Sequence, residues 1–187
     1  WNWMGFGMFA IDAIRGLDPI QTDAEDVRIQ RAELRNIEQV IELQDALWQY
    51  MKGSPIFLLS EKRDRAYYEE WLGNPDKVVW LAYLNDEPVA FIRLGPADND
   101  VCTIIVDEKT TSIYAAFTKE NFRSEGIATA LLDHALMAAR ATGYERCAVP
   151  FEPMNLLGTR FWFKYFKPVC YSLLRIVDDR LIQTQMD

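Results

Sequence analysis

The residues best placed to do chemistry lie between Phe117 and Gly143, in the stretch FTKENFRSEGIATALLDHALMAARATG. A polar loop runs into a helix with Ile127, Ala128, Ala130, Leu131, Leu132 and Leu136 on its apolar positions. The free N–H groups and the positive dipole end of that helix point back at the loop. Arg123 adds a cation, and Gly126 lets the backbone come close to a ligand. A phosphate docked there would gain about 0.3 to 1 kcal/mol from the dipole, besides its hydrogen bonds. Gly143 stops the helix. The same residues also describe an ordinary helix start, so physics alone leaves both readings open. Neither GxxxxGK[ST] nor GxGxxG occurs, which excludes a P-loop and a dinucleotide fingerprint.

Composition narrows the remaining chemistry. The 187 residues suit one domain plus an appendage, and a hydrophobic share of 50% makes the chain globular. A net charge of −8 with a pI near 4.8 argues against nucleic acid as the main partner and is compatible with a cationic substrate such as an amine. Cys102, Cys147 and Cys170, an odd number at irregular spacing, provide no disulfide framework or metal pattern, and a reducing cytosol is the default expectation. His134 is the single histidine, so a Ser-His or multi-His site is excluded; it reads as a helix-face residue making an ordinary hydrogen bond. No run of 18 apolar residues is present, so no membrane span is expected.

The elements that must position the loop follow from periodicity and punctuation. Residues 1–26 open on Trp1, Trp3, Phe6 and Phe9, too apolar to leave solvated, and close on Asp18-Pro19 and the acidic TDAED. They read as an N-terminal arm and linker: the remnant of an upstream domain, or a contact to one or to a second copy of the chain. The main domain then spans 27–187. Val27–Ala32 alternates as a strand, Glu33–Met51 carries a helical apolar stripe, and Lys62–Leu72 is a second helix ended by Gly73-Asn74-Pro75. Lys77–Leu84 and Pro88–Gly95 form a hairpin through Asn85-Asp86-Glu87. Val101–Val106 and Thr111–Thr118 are strand-prone, and the second leads into the anion loop. Tyr144–Phe151 reads as a centrally placed strand, Asn155–Phe166 as an aromatic-rich helix, and Val169–Val177 as a last strand before a polar end. The expectation is an α/β layered domain on a mixed, mostly antiparallel twisted sheet flanked by helices.

That order, with Arg123-Ser124-Glu125-Gly126-Ile127-Ala128 at the turn after the fourth main-domain strand, resembles the GNAT N-acetyltransferases, whose motif is (R/Q)xxGx(G/A). The resemblance covers roughly Val27 to Val177. It implies strands four and five splayed apart around the pantetheine arm of acetyl-CoA. Phe117 and Thr118 would pair with that arm like an added strand. Arg123, Ser124, Glu125, Gly126, Ile127 and Ala128 would cradle the pyrophosphate, and Asn155 would contact the arm. The Trp-rich start and the PVCYSLLR tail further resemble the C-terminal half of bacterial tandem-GNAT proteins.

One departure bears on the chemistry. The family commonly has a Tyr seven residues after that Asn to protonate the leaving thiolate, and Trp162 stands there; an indole cannot serve as that acid. Tyr165 is the substitute nearest in sequence. A strand-four carboxylate is also absent from TSIYAAFTK, which leaves Glu152 as the candidate base with Glu87 behind it. The expected function is acetyl-CoA-dependent transfer to a primary amine of a small molecule or amino acid, with no metal. The alternatives are a catalytically silent CoA-binding domain and a plain interaction module.

Overall fold

The computed structural model describes residues 4–24, 26–53, 55–58, 60–99 and 104–177. Its framework is a seven-stranded sheet in the order β2-β3-β4-β5-β6-β1-β7, comprising β1 (Gly7–Gly16), β2 (Arg28–Arg31), β3 (Val78–Leu84), β4 (Glu87–Pro96), β5 (Thr110–Thr118), β6 (Arg146–Phe151) and β7 (Lys167–Leu174). All neighbouring strands are antiparallel except β5 and β6, which are parallel. The helices are α1 (Ile37–Lys52), α2 (Arg65–Gly73), α3 (Ile127–Ala141) and α4 (Leu156–Tyr165).

Side-chain alternation along the strands divides the core into two layers. Val79, Leu81, Tyr83 and Phe91 face α1 and α2, where Val40, Leu43, Tyr68 and Trp71 cover them. Ala82, Ala90, Ile92, Leu94 and Ile113 face α3, which contributes Leu131, Leu132, Ala135 and Leu136. Asp64 caps α2 by accepting the Tyr67 N–H at 3.0 Å, so that helix starts later than Lys62. Asn85 and Asp86 both take positive φ, 49° and 63°, the conformation of a two-residue hairpin turn that matches strand twist.

The sequence reading assigns residues 1–26 to an arm, yet Gly7–Gly16 is an interior strand. It lies antiparallel between β6 and β7, with Ile11 opposite both Phe151 and Tyr171. Ile11 and Ala13 are fully buried because α4 carries the chain from β6 across to β7 and leaves one strand's width between them. Trp1 and Trp3 lie outside the described residues. Residues 101–103 also lie outside, and Ile104–Val106 is irregular and exposed, so the expected strand Val101–Val106 does not extend there. Its charged neighbour Asp107 forms a turn instead, accepting from Lys109 N–H and the Thr110 hydroxyl. The last strand ends at Leu174, short of Val177.

Candidate functional site

The fourth and fifth strands counted from Val27 are β5 and β6, and their pairing is brief. Only Thr110, Thr111 and Ser112 register with Arg146, Cys147 and Ala148; beyond that the strands diverge. The gap is a cavity of ≈ 340 Å³ with Ala116, Phe117 and Thr118 on one wall and Asn155, Gly158, Phe161 and Trp162 of α4 on the other. Thr129 and Leu132 of α3 and Leu47 and Tyr50 of α1 complete it.

Strand geometry decides which backbone groups are free along this edge. The Lys119 N–H bonds the Val89 carbonyl of β4. Successive backbone groups alternate sides, so those of Phe117 also point to β4, while those of Ala116 and Thr118 point into the gap. Phe117 contributes its ring, and Ala116, which sequence reasoning passed over, contributes a free edge.

The anion loop opens into the same cavity. Ser124 and Gly126 are left-handed, with φ of 67° and 80°, and Gly126 is the N-cap of α3. No side chain caps that helix, so the first-turn N–H groups stay available. Arg123, Ser124, Gly126, Ile127 and Ala128 all line the cavity; Glu125 does not, and its side chain is exposed. Arg123 lies across the mouth: its Nε donates to the Thr118 carbonyl at 3.1 Å, and its guanidinium sits 4.8 Å from the Tyr50 ring and 5.6 Å from the Phe117 ring. An uncapped helix N-terminus, a neighbouring arginine and a narrow slot with an open strand edge fit the pyrophosphate and arm of CoA.

Asn155 is held more firmly than the sequence suggested. As N-cap of α4, its Oδ1 accepts the Gly158 N–H at 3.1 Å and the Tyr50 hydroxyl at 3.0 Å. A Cβ at Gly158 would lie 2.7 Å from Asn155 Nδ2, so a side chain there would require Asn155 to shift. A glycine inside the helix LLGTRFWFKY was the readable signal. Tyr50 had no comparable signal, because its partner lies 105 residues away.

The candidate proton-transfer groups are placed differently from one another. Trp162 is buried, lines the slot and packs edge-on against Phe161 and Phe166. Tyr165 does not line the slot; its hydroxyl is 2.9 Å from the Thr129 hydroxyl, which does. Glu152 follows β6 directly but is not among the residues that line the slot. Burial pushes its carboxyl above the usual range, against a hydrogen bond from its own backbone N–H. Glu87 is instead tied to Lys119 at 3.0 Å, beside Glu42 at 2.8 Å. His134 stacks edge-on with Trp80 at 4.4 Å rather than making the expected hydrogen bond through Nε2.

Comparisons with known proteins agree with this geometry. The profile of the Acetyltransferase (GNAT) family matches residues 38–163. A search of curated protein sequences returns no match. Among solved structures, similarity extends to an aminoglycoside acetyltransferase, meta-AAC0020, from an uncultured soil metagenomic sample in complex with sisomicin (18% identity, 82% of this chain and 93% of that chain, TM-score 0.60). It extends also to the ribosomal-protein-alanine N-acetyltransferase of Brucella melitensis biovar Abortus 2308 (17% identity, 82% and 100%, TM-score 0.61). A third is the PaiA N-acetyltransferase of Thermoplasma acidophilum in complex with coenzyme A (16% identity, 74% and 87%, TM-score 0.61). Among the described residues no helix is long and apolar enough to cross a membrane. With the splayed strands, the open helix terminus and the family profile coinciding on one cavity, the chain belongs to the Acetyltransferase (GNAT) family and is an acetyl-CoA-dependent N-acetyltransferase.

Proposed function

We propose that the chain acetylates a primary amine of a small molecule or amino acid by direct transfer. The observation that carries this reading is the single cavity shared by the splayed β5–β6 edge and the uncapped α3 terminus. Acetyl-CoA, when bound, supplies an acetyl thioester. Arg123 and the N–H groups from Ser124 to Ala128 hold its phosphates, and Ala116, Thr118 and Asn155 hold its arm.

Glu152 takes the proton of the attacking amine, its raised carboxyl pKa making it a better base than an exposed carboxylate. The N–H groups of Ala116 and Thr118, on the gap side of β5, would be the donors available to a carbonyl oxygen on which charge develops. As the new C–N bond forms and the C–S bond breaks, the leaving sulfur needs a proton that Trp162 cannot provide. Tyr50, whose hydroxyl is in the slot beside Asn155, supplies it directly, and Tyr165 offers a second route through the Thr129 hydroxyl. Calorimetric titration with CoA and acetyl-CoA, followed by thiol release against a panel of amines, tests the reading. Micromolar binding with turnover supports it; binding without turnover leaves a silent CoA-binding domain, and absence of binding by the folded chain refutes the site.

A further inference from the structure

The face of the sheet under α1 and α2 contains a cationic site that the acetyl-transfer machinery does not use. Arg93, on β4, is 8% exposed, and its Nε and Nη1 have no hydrogen-bond partner. Its guanidinium lies 4.4 Å from the Trp71 ring, 5.6 Å from the Tyr67 ring and 6.0 Å from the Tyr68 ring. The Tyr67 and Tyr68 side chains are the groups that favour its charge. Arg63, exposed and without an ion pair among the described residues, stacks on the same Tyr67 ring at 5.1 Å and repels Arg93.

Two arginines converging on one ring without an acid between them is costly. An unpaired buried charge and orphaned N–H donors both destabilise a fold. Among the described residues no carboxylate is among the groups acting on Arg93. Two further buried donors lack partners on the same side of the sheet, Trp71 Nε1 and Gln44 Nε2. Every one of these open atoms is a donor, and an oxyanion is the ligand class that accepts from donors of this kind.

The position relates the site to the slot. Phe91 registers with Phe117 and both line the cavity, while Arg93 registers with Ala115 just beyond its lining. Two residues along a strand is about 7 Å, the scale of one small molecule. A bulge between Arg93 and Leu94 sits at this point, a device that re-aims side chains beside active sites.

We propose that Arg93, assisted by Arg63, binds the carboxylate of the acceptor, so that the substrate is a carboxylate-bearing primary amine rather than a polycationic one. This rests on the acetyl-transfer reading above. The test compares thiol release for each of a panel of L-amino acids with that for its decarboxylated amine, with phosphoethanolamine against ethanolamine as a second oxyanion pair and sisomicin as a polycation. Wild-type protein is expected to prefer the amino acids. In Arg93→Met the ratio of kcat/KM between the members of a pair should fall about 10- to 100-fold, the effect of losing a charge-assisted hydrogen bond. Arg93→Lys should fall between the two.

Thermal shift by N-acetylated amino acids in the presence of CoA gives a readout independent of turnover, and Arg93→Met should abolish it without lowering the melting temperature. Turnover of decarboxylated amines or sisomicin with no advantage for amino acids overturns the carboxylate site and leaves acetyl transfer standing. Preference for phosphoethanolamine alone overturns the carboxylate assignment. CoA binding with neither turnover nor product binding overturns both readings, and an equal loss on both members of a pair in Arg93→Met reduces Arg93 to a packing residue.

Discussion

Gly158→Ala isolates the positioning of Asn155. A helical Gly→Ala change ordinarily stabilises by up to about 1 kcal/mol. Here the added methyl carbon would lie 2.7 Å from Asn155 Nδ2 and 3.0 Å from its Cγ, distances that force the Asn155 side chain to rotate away. That movement breaks the cap on α4, worth about 0.5–2 kcal/mol, and the Tyr50 hydrogen bond, worth about 1 kcal/mol. The losses together, about 1.5–3 kcal/mol, exceed the gain, so the net change is expected at about 0.5–3 kcal/mol of destabilisation. At about 2–4 °C per kcal/mol for a chain of this size, the melting temperature should fall by roughly 1–12 °C. The function should suffer more than the fold. Asn155 and Tyr50 would both leave their places, and turnover with acetyl-CoA should drop at least about tenfold, the effect of one lost hydrogen bond in the productive complex. Thermal melting, CoA calorimetry and thiol release on the same preparation measure all three. A rise of melting temperature by the full helix-propensity gain, with CoA affinity and turnover intact, would refute the argument that this glycine exists to seat Asn155.

Other expectations follow from the same geometry. Glu152→Gln should lower kcat about 10²- to 10⁴-fold and remove the acidic limb of the pH–rate profile, as a positioned base would; an unchanged profile excludes Glu152. Because burial raises the folded pKa of Glu152 above its ordinary value of 4.5, wild-type stability from this group is complete below that value and declines as pH rises through the folded pKa. The variant should therefore melt at the same temperature as wild type in acid and higher at neutral pH; the opposite trend would contradict the burial argument. Tyr50→Phe should reduce kcat more than Tyr165→Phe, since Tyr165 reaches the slot only through Thr129, and equal effects would favour the relay. Arg123→Met should weaken CoA binding about tenfold and flatten its salt dependence, while an unaltered affinity would mean that the guanidinium stays on Tyr50 when CoA binds.

Much of this site could be read from the chain because its parts are local. The stripe from Ile127 to Leu136, bounded by Gly126 and Gly143, specifies α3 and its open terminus within a single stretch, and Asn85-Asp86 specifies the hairpin. The near-continuous apolar run of β6 correctly marked it as interior. What escaped depends on distant partners. Tyr50 looks like one of many aromatics on α1 until Asn155 arrives beside it, and Arg93 is an ordinary strand residue until α2 lays three rings around it. Gly7–Gly16 alternates only modestly and is bordered by glycines, so nothing local distinguishes a strand from an arm. Trp162, by contrast, is legible as a departure, because an indole stands where the family commonly has a phenol.

The place of β1 also governs how the chain reaches its folded state. Its partners in β6 and β7 are 130 to 167 residues further along the sequence, so these contacts carry a heavy loop-closure cost and form late. Until they form, β6 presents an unpaired edge on the side away from the slot, and β7 has no neighbour to pair with. Such edges invite intermolecular strand addition. The two ends of the chain therefore act as one kinetic unit: removal of residues 7–16 would leave the family-matched segment 38–163 whole in sequence yet prone to aggregate during refolding.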